Sequence, residues 1–193
     1  WARYSDAGAQ AAPPEMTARE AAPGCWYVEG LSALGSPANA NFISNAGFIV
    51  TSAGVVVVDA LGSPALAERL LAEIRKVTPQ KVTHVIVTHY HADHVYGLQV
   101  FERAGAKIIA HQAGREYLYA DTARLRLEQS RKDLAPWIDE QTQLAAATEW
   151  IDARRELTVG DTRLVIQPVG PAHTPEDLAV YLPDKKVLYA GDL

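Results

Sequence analysis

Apolar and polar positions change rhythm several times along this chain, and each change marks an element. Asn41–Val50 ("NFISNAGFIV") and Val55–Asp59 ("VVVVD") read as β-strands joined by the turn Thr51–Gly54. Leu66, Leu70, Leu71 and Ile74 then recur at helical spacing. Ser63 and Pro64 supply N-cap and first-turn signals for that helix, which runs to Val77 and is closed by Pro79. Val82–Val87 is a third strand whose pattern predicts burial on both faces. Leu98–Ala104 reads as a short helix, Lys107–Ala110 as a fourth strand, and Gln112–Thr148 as largely helical with a break at Pro136. Glu156–Val159 and Arg163–Val169 form a hairpin around Gly160–Asp161, and Leu178–Leu182 with Val187–Ala190 another around "PDKK". Strand and helix alternate early and hairpins follow, so the fold class is α/β, layered on a mixed sheet. Residues 1–25 are Ala/Pro-rich and aperiodic from Trp1 onward, which predicts a flexible leader, with the domain occupying 26–193.

Composition narrows the function classes. The chain has 193 residues, 48% of them apolar, enough for one sizeable core or two small ones. Its 18 basic and 23 acidic residues give a net charge of −5, which argues against a nucleic-acid partner. The most cationic segment, Arg115–Asp133, alternates its charges and reads as a solvated helix face. The single cysteine, Cys25, allows neither an intrachain disulfide nor a Cys-based zinc site, and is expected to be inert. No apolar run approaches a membrane span, so no membrane partner is expected. Periplasm and cytoplasm are both compatible with the leader.

The chemistry concentrates in Thr88–Gly97, "THYHADHVYG", where three of the six histidines and an aspartate fall within positions 89 to 94. In an extended segment residues i and i+2 share a side, so His89 and His91 can aim two imidazoles at one point. Asp93 and His94 follow where the chain turns into the next helix and can face a second point nearby. Mixed imidazole and carboxylate donors suit zinc, or iron and manganese. Elsewhere, His84 lies inside a strand and reads as a hydrogen-bonded structural residue, and His111 as surface or helix start. Asp59 ends a buried strand and is a candidate to orient a ligand or loop. Trp137, Trp150, Tyr117 and Tyr119 read as packing residues, whereas Tyr90 and Tyr96 are expected at the rim of the site.

The run "THYHADH" at 88–94, "VVVVDA" ahead of the first helix, "AHTPED" at 172–177 and "YAGDL" at the end resemble the metallo-β-lactamase-fold hydrolases, from about Asn41 to Leu193. The wording "HYHADHVYGLQ" with "PAHTPEDL" is most similar to a bacterial, glyoxalase II-like subgroup near the sulfur-oxidation and quinoprotein-relay zinc hydrolases. The resemblance implies an αββα sandwich with the C-terminal part of its second half missing. It implies that His89, His91 and His173 hold a first metal, Asp93 and His94 a second, and that Asp192 bridges both, with Asp93 also orienting the nucleophile or taking its proton. Two departures stand out: Ala172 and Glu176 replace glycines common in the family, and the family's last histidine, a second-metal ligand, is absent before Leu193.

Function follows as an expectation from that resemblance. Two metals about 3.5–4 Å apart bring the pKa of a bridging water to near 7. A dinuclear zinc hydrolase of an ester, thioester, lactone or related carbonyl substrate is therefore implied, working by metal-bound hydroxide. Asp192 in the bridging place points away from true β-lactamases, although weak β-lactam turnover is compatible. The alternative is a persulfide dioxygenase of the same fold, which holds one iron with the equivalents of His89, His173 and Asp192. The expected partner is a small-molecule substrate. Uncovered apolar faces on Arg163–Val169 and Val187–Ala190 predict self-association, with a homodimer as one outcome, and poor hydrolysis by the 193-residue chain alone.

Overall fold

The computed structural model of the chain describes residues 12–193. Its larger sheet has seven strands in sequence order: β1 (Arg19–Ala22), β2 (Cys25–Val28), β3 (Ala46–Thr51), β4 (Gly54–Val58), β5 (Val82–Ile86), β6 (Lys107–His111) and β7 (Glu149–Ile151). The pairs from β1 to β4 are antiparallel, and those from β4 to β7 are parallel. A second, antiparallel sheet has the order β11 (Val187–Tyr189), β10 (Leu178–Leu182), β9 (Thr162–Pro168), β8 (Arg155–Val159). Among the described residues the helices are α1 (Pro64–Val77), α2 (Ala92–Val95), α3 (Leu98–Arg103), α4 (Gln112–Leu118) and α5 (Asp121–Asp133).

Strand β4 shows why the layers form. Its valines alternate between two cores: Val55 and Val57 face the helices, packing with Leu66, Leu70 and Phe101, while Val56 and Val58 face the second sheet, with Leu164, Ile166 and Val180. A strand covered on both faces can be apolar at every position, which is what "VVVV" encodes. The result is helices, sheet and sheet, three layers of the implied αββα sandwich. Among the described residues nothing covers the outer face of the second sheet, where Tyr181 and Leu188 stand exposed.

Helix α1 begins as its signals predict: Ser63 accepts from the Leu66 amide at 3.4 Å, and Pro64 occupies the first turn. It packs against α3 through a close approach at Gly97, where a Cβ would sit 2.0 Å from the Ala60 carbonyl oxygen and 2.7 Å from the Ala67 Cβ. Both neighbours are held by backbone, so neither can give way. Gly97→Ala is therefore expected to cost about 1–3 kcal/mol, measured as a lowered urea midpoint. An unchanged midpoint would show that this seam is soft.

Two stretches depart from the sequence reading. Strand β1 lies inside the segment 1–25 read as a leader, paired with β2 through Arg19↔Tyr27 and Glu20↔Trp26; residues 1–11 lie outside the described residues. Cys25 accordingly sits buried in β2, inside the core between the sheets. The expected long helical stretch Gln112–Thr148 stops at Asp133 and gives way to turns and then β7. The Asp139 carboxylate accepts from the amides of Gln141 and Thr142, at 2.9 and 3.1 Å, and Arg131 closes on the carbonyls of Asp139 and Thr142. These local bonds compete with helix formation and win.

Candidate metal centre

The cluster forms where β5 ends. Beyond Ile86 the chain runs through Thr88, His89 and His91 into the single turn of α2, which carries Asp93 and His94. His173 arrives from the loop between β9 and β10, and Asp192 from the segment after β11. Three contacts bring these pieces together. The Leu178 amide donates to the Thr88 carbonyl at 2.9 Å. Asp177 folds the 173–177 turn by accepting from the Thr174 amide and hydroxyl, at 2.8 and 2.6 Å. Gly191, at φ +62°, lies so close to Thr88 that a Cβ there would meet its hydroxyl at 2.8 Å; only glycine fits both the conformation and the space.

The donor atoms of His89, His91 and His173 lie within 4.8 Å of one another, and so do those of His89, His94 and Asp192. His91 Nδ1 and His173 Nε2 are 3.0 Å apart. Asp192 reaches both groups: Oδ2 is 3.5 Å from His173 Nε2 and 3.9 Å from His89 Nε2, and Oδ1 is 3.2 Å from His94 Nε2. Asp93 Oδ2 stands 3.5 Å from His94 Nε2, beside these two groups rather than within either. The structure thus gathers all six sequence-predicted residues at one place.

The hydrogen bonds behind the cluster fix which nitrogen faces inward. Asp59, buried and at φ +64°, accepts from the Thr88 amide and the Thr88 hydroxyl, each at 2.7 Å, and from His94 Nδ1 at 2.8 Å. The Thr88 hydroxyl spends its one proton on Asp59, so at 3.0 Å it must accept from His89 Nδ1–H. On both rings Nε2 is left as the inward atom, buried and outside any well-aligned hydrogen bond, with Asp192 Oδ1 3.2 Å from that of His94. Orphaned buried nitrogens are rare, and two converging on a carboxylate are what a bound cation would satisfy.

Electrostatics agree. Burial, reinforced by His94, pushes His89 down to about 4, so its ring is a neutral donor. Burial opposes charge on His94 too, but Asp59, Asp192 and Asp93 outweigh it and raise the ring to about 10. His94 and the other histidines hold Asp192 down at about 2 against its burial. Three carboxylates around one imidazole leave negative charge for a cation to balance. Histidine and carboxylate donors in this number fit zinc or another borderline divalent ion.

Other expectations resolve case by case. His84 stays away from the cluster, its Nδ1 2.9 Å from the Thr83 hydroxyl, and His111 caps α4 by accepting from the Ala113 amide at 3.1 Å. Tyr90 and Tyr96, expected at the rim, are instead buried at 1% and 2% exposure. Tyr90 stacks on Trp150 and Tyr96 meets Ser130, so both rings prop α4 and α5 against the site loop. No positive φ occurs at Ala172 or Glu176, so that loop manages without the family's glycines. Sequence reading passed over Thr88, Gly191, Asp177 and Ser44, whose hydroxyl donates to the Asp93 carbonyl. Only the position of Thr88 inside the motif hinted at a role.

A model of the metallo-beta-lactamase superfamily matches residues 40–193. Among solved structures, metallo-beta-lactamase IND-7 is 22% identical with a TM-score of 0.68, over 90% of this chain and 69% of its own. A metallo-beta-lactamase from Pontibacter korlensis is 19% identical with a TM-score of 0.67, over 91% and 71%. The inverting sec-alkylsulfatase Pisa1 from Pseudomonas sp. is 22% identical with a TM-score of 0.62, over 90% of this chain but 30% of its own. The chain thus spans under a third of the alkylsulfatase and about seven-tenths of either lactamase, and at these identities the likeness is one of fold.

Proposed function

Because the chain belongs to the metallo-beta-lactamase superfamily, we propose that it is a dinuclear zinc hydrolase acting on an ester, thioester or lactone. The observation that carries this reading is the pair of orphaned Nε2 atoms on His89 and His94, converging with Asp192 beside His91 and His173. His89, His91 and His173 would hold one ion, His94 and Asp93 the other, and Asp192 both. Bound there, the ions would supply a water of near-neutral pKa and polarise a carbonyl oxygen. The protein's own groups do the rest. Thr88 and Asp59 hold two imidazoles by Nδ1, so that Nε2 of His89, and of His94 once its second proton has left, faces the ions. Asp93, whose side chain is 23% exposed, is placed to orient the attacking water and take its proton.

A second reading has one observation in its favour. His89, His173 and Asp192 form a two-histidine, one-carboxylate set, the donor type of non-haem iron oxygenases. Parallel assays separate the two. Zinc-loaded protein is expected to hydrolyse thioesters and p-nitrophenyl esters, with at least a hundredfold loss in Asp192→Ala. Oxygen uptake on glutathione persulfide by iron-loaded protein, with no hydrolysis by the zinc form, would transfer the assignment to the oxygenase.

A further inference from the structure

Beside the cluster lies a cavity of about 240 Å³ between α4 and the 173–177 turn, with His91 in its wall. Its apolar surface comes from the Ala113 methyl, the Tyr117 ring and the Pro175 ring, with Glu116 exposed and Glu176 buried at its edges. The walls are fixed before any ligand arrives. His111 caps the start of α4. The α4 backbone at Gly114 lies flat on Tyr90, where a Cβ would come within 2.8 Å of the ring. Glu176 is tied down by the Tyr90 amide at 3.3 Å, and Asp177 closes the turn on the other side. A preformed apolar cavity costs little ordering on binding. By contrast, the apolar depression on the outer face of the second sheet, around Val165, Tyr181 and Leu188, includes no cluster residue.

We propose that this cavity is the acyl-side subsite of the enzyme, taking an uncharged alkyl chain of a few carbons or a single aromatic ring while the scissile carbonyl lies at the cluster. The inference rests on the hydrolase reading and deepens it. Three features select this class of substituent. The lining is alkyl and aromatic, so it rewards apolar area. The two glutamates at its edges disfavour a carboxylate or phosphate on the arm. His91 belongs both to the cavity and to the three-histidine group, so a chain seated here lies one side chain away from the cluster. Tyr117 thereby serves as a binding wall as well as a packing residue.

The test compares p-nitrophenyl acetate with the hexanoate on zinc-loaded protein. Each buried methylene is worth roughly fourfold, so partial burial of the chain predicts a kcat/KM ratio of at least about tenfold in favour of hexanoate. Ala113→Trp fills the cavity and is expected to bring that ratio close to one. Tyr117→Ala, which removes a wall instead, should lower it by severalfold, and serves if the tryptophan variant does not fold. A hexanoate preference that survives both substitutions overturns the subsite. A second readout is independent of turnover: hexanamide, but not acetamide, should shift the NMR signals of the Ala113 methyl and the Tyr117 ring. If no ester is hydrolysed, the hydrolase reading fails, and the NMR titration alone decides the cavity: shifts support it, and their absence overturns it.

Discussion

Asp59→Ala is expected to cost both fold stability and metal affinity more than any other substitution outside the donor set. The carboxylate is buried and receives three hydrogen bonds, two from Thr88 and one from His94. Removing it strands three buried donors, one of them a charged imidazole, which by analogy with broken buried ion pairs costs about 3–5 kcal/mol. The backbone at φ +64° adds strain for alanine but not for asparagine, which tolerates that region. Asp59→Asn therefore separates the two causes: it keeps the conformation and part of the bonding, and should lose less stability. In Asp59→Ala His94 is free to turn, so affinity for an ion at that position should fall by about 10–100-fold, and by less in Asp59→Asn. Urea unfolding of the apo form and zinc titration against a competing chelator read the two effects. Wild-type zinc affinity in Asp59→Ala would mean that His94 is positioned by something else.

His89→Ala should remove more metal than any other histidine substitution, because it takes a donor from the three-histidine position and its ring also lies beside His94 and Asp192 at the other. One substitution then empties the first position and disturbs the second. Two effects on the apo protein oppose each other: a cavity opens, and an unpartnered buried nitrogen disappears. Apo stability should consequently change by less than about 2 kcal/mol, while the stabilisation that zinc gives the wild type disappears. His91→Ala and His173→Ala should each strip one position. His84→Ala, hydrogen-bonded to Thr83 away from the cluster, should leave metal content unchanged. Metal content after dialysis and melting with and without zinc measure this series. Equal metal loss in His84→Ala and His89→Ala would break the division into structural and donor histidines.

What the sequence made legible was what is local. The doubly covered strand β4 shows in its four valines, and α1 in its cap, its proline and its apolar spacing, because each signal sits on the residues that form the element. The donor histidines were legible for the same reason: His89 and His91 lie on one extended stretch, and Asp93 and His94 on the turn after it. Most of the features missed depend on distant partners, and one on side-chain bonds to nearby backbone that periodicity does not show. Strand β1 is held by pairing with β2, not by the propensity of "REAA". Turns replace helix after Asp133 because Arg131 and Asp139 bond the backbone of 139–142. The motif flanks the site and so predicts Tyr90 and Tyr96 at its rim, but the packing of α4 and α5 draws both rings into the core. The bond between Asp59 and Thr88, which in turn orients His89, spans 29 residues and needs a left-handed backbone at Asp59, which no local pattern announces.

If six side chains from three separate segments build a metal site for hydrolysis, the protein must retain metal. Elemental analysis of the protein, loaded with excess zinc and dialysed against metal-free buffer, tests it most directly. One to two equivalents of zinc per chain are expected, from two donor groups that share His89 and are both within reach of Asp192. Zinc at background level, in protein that remains folded, would contradict it.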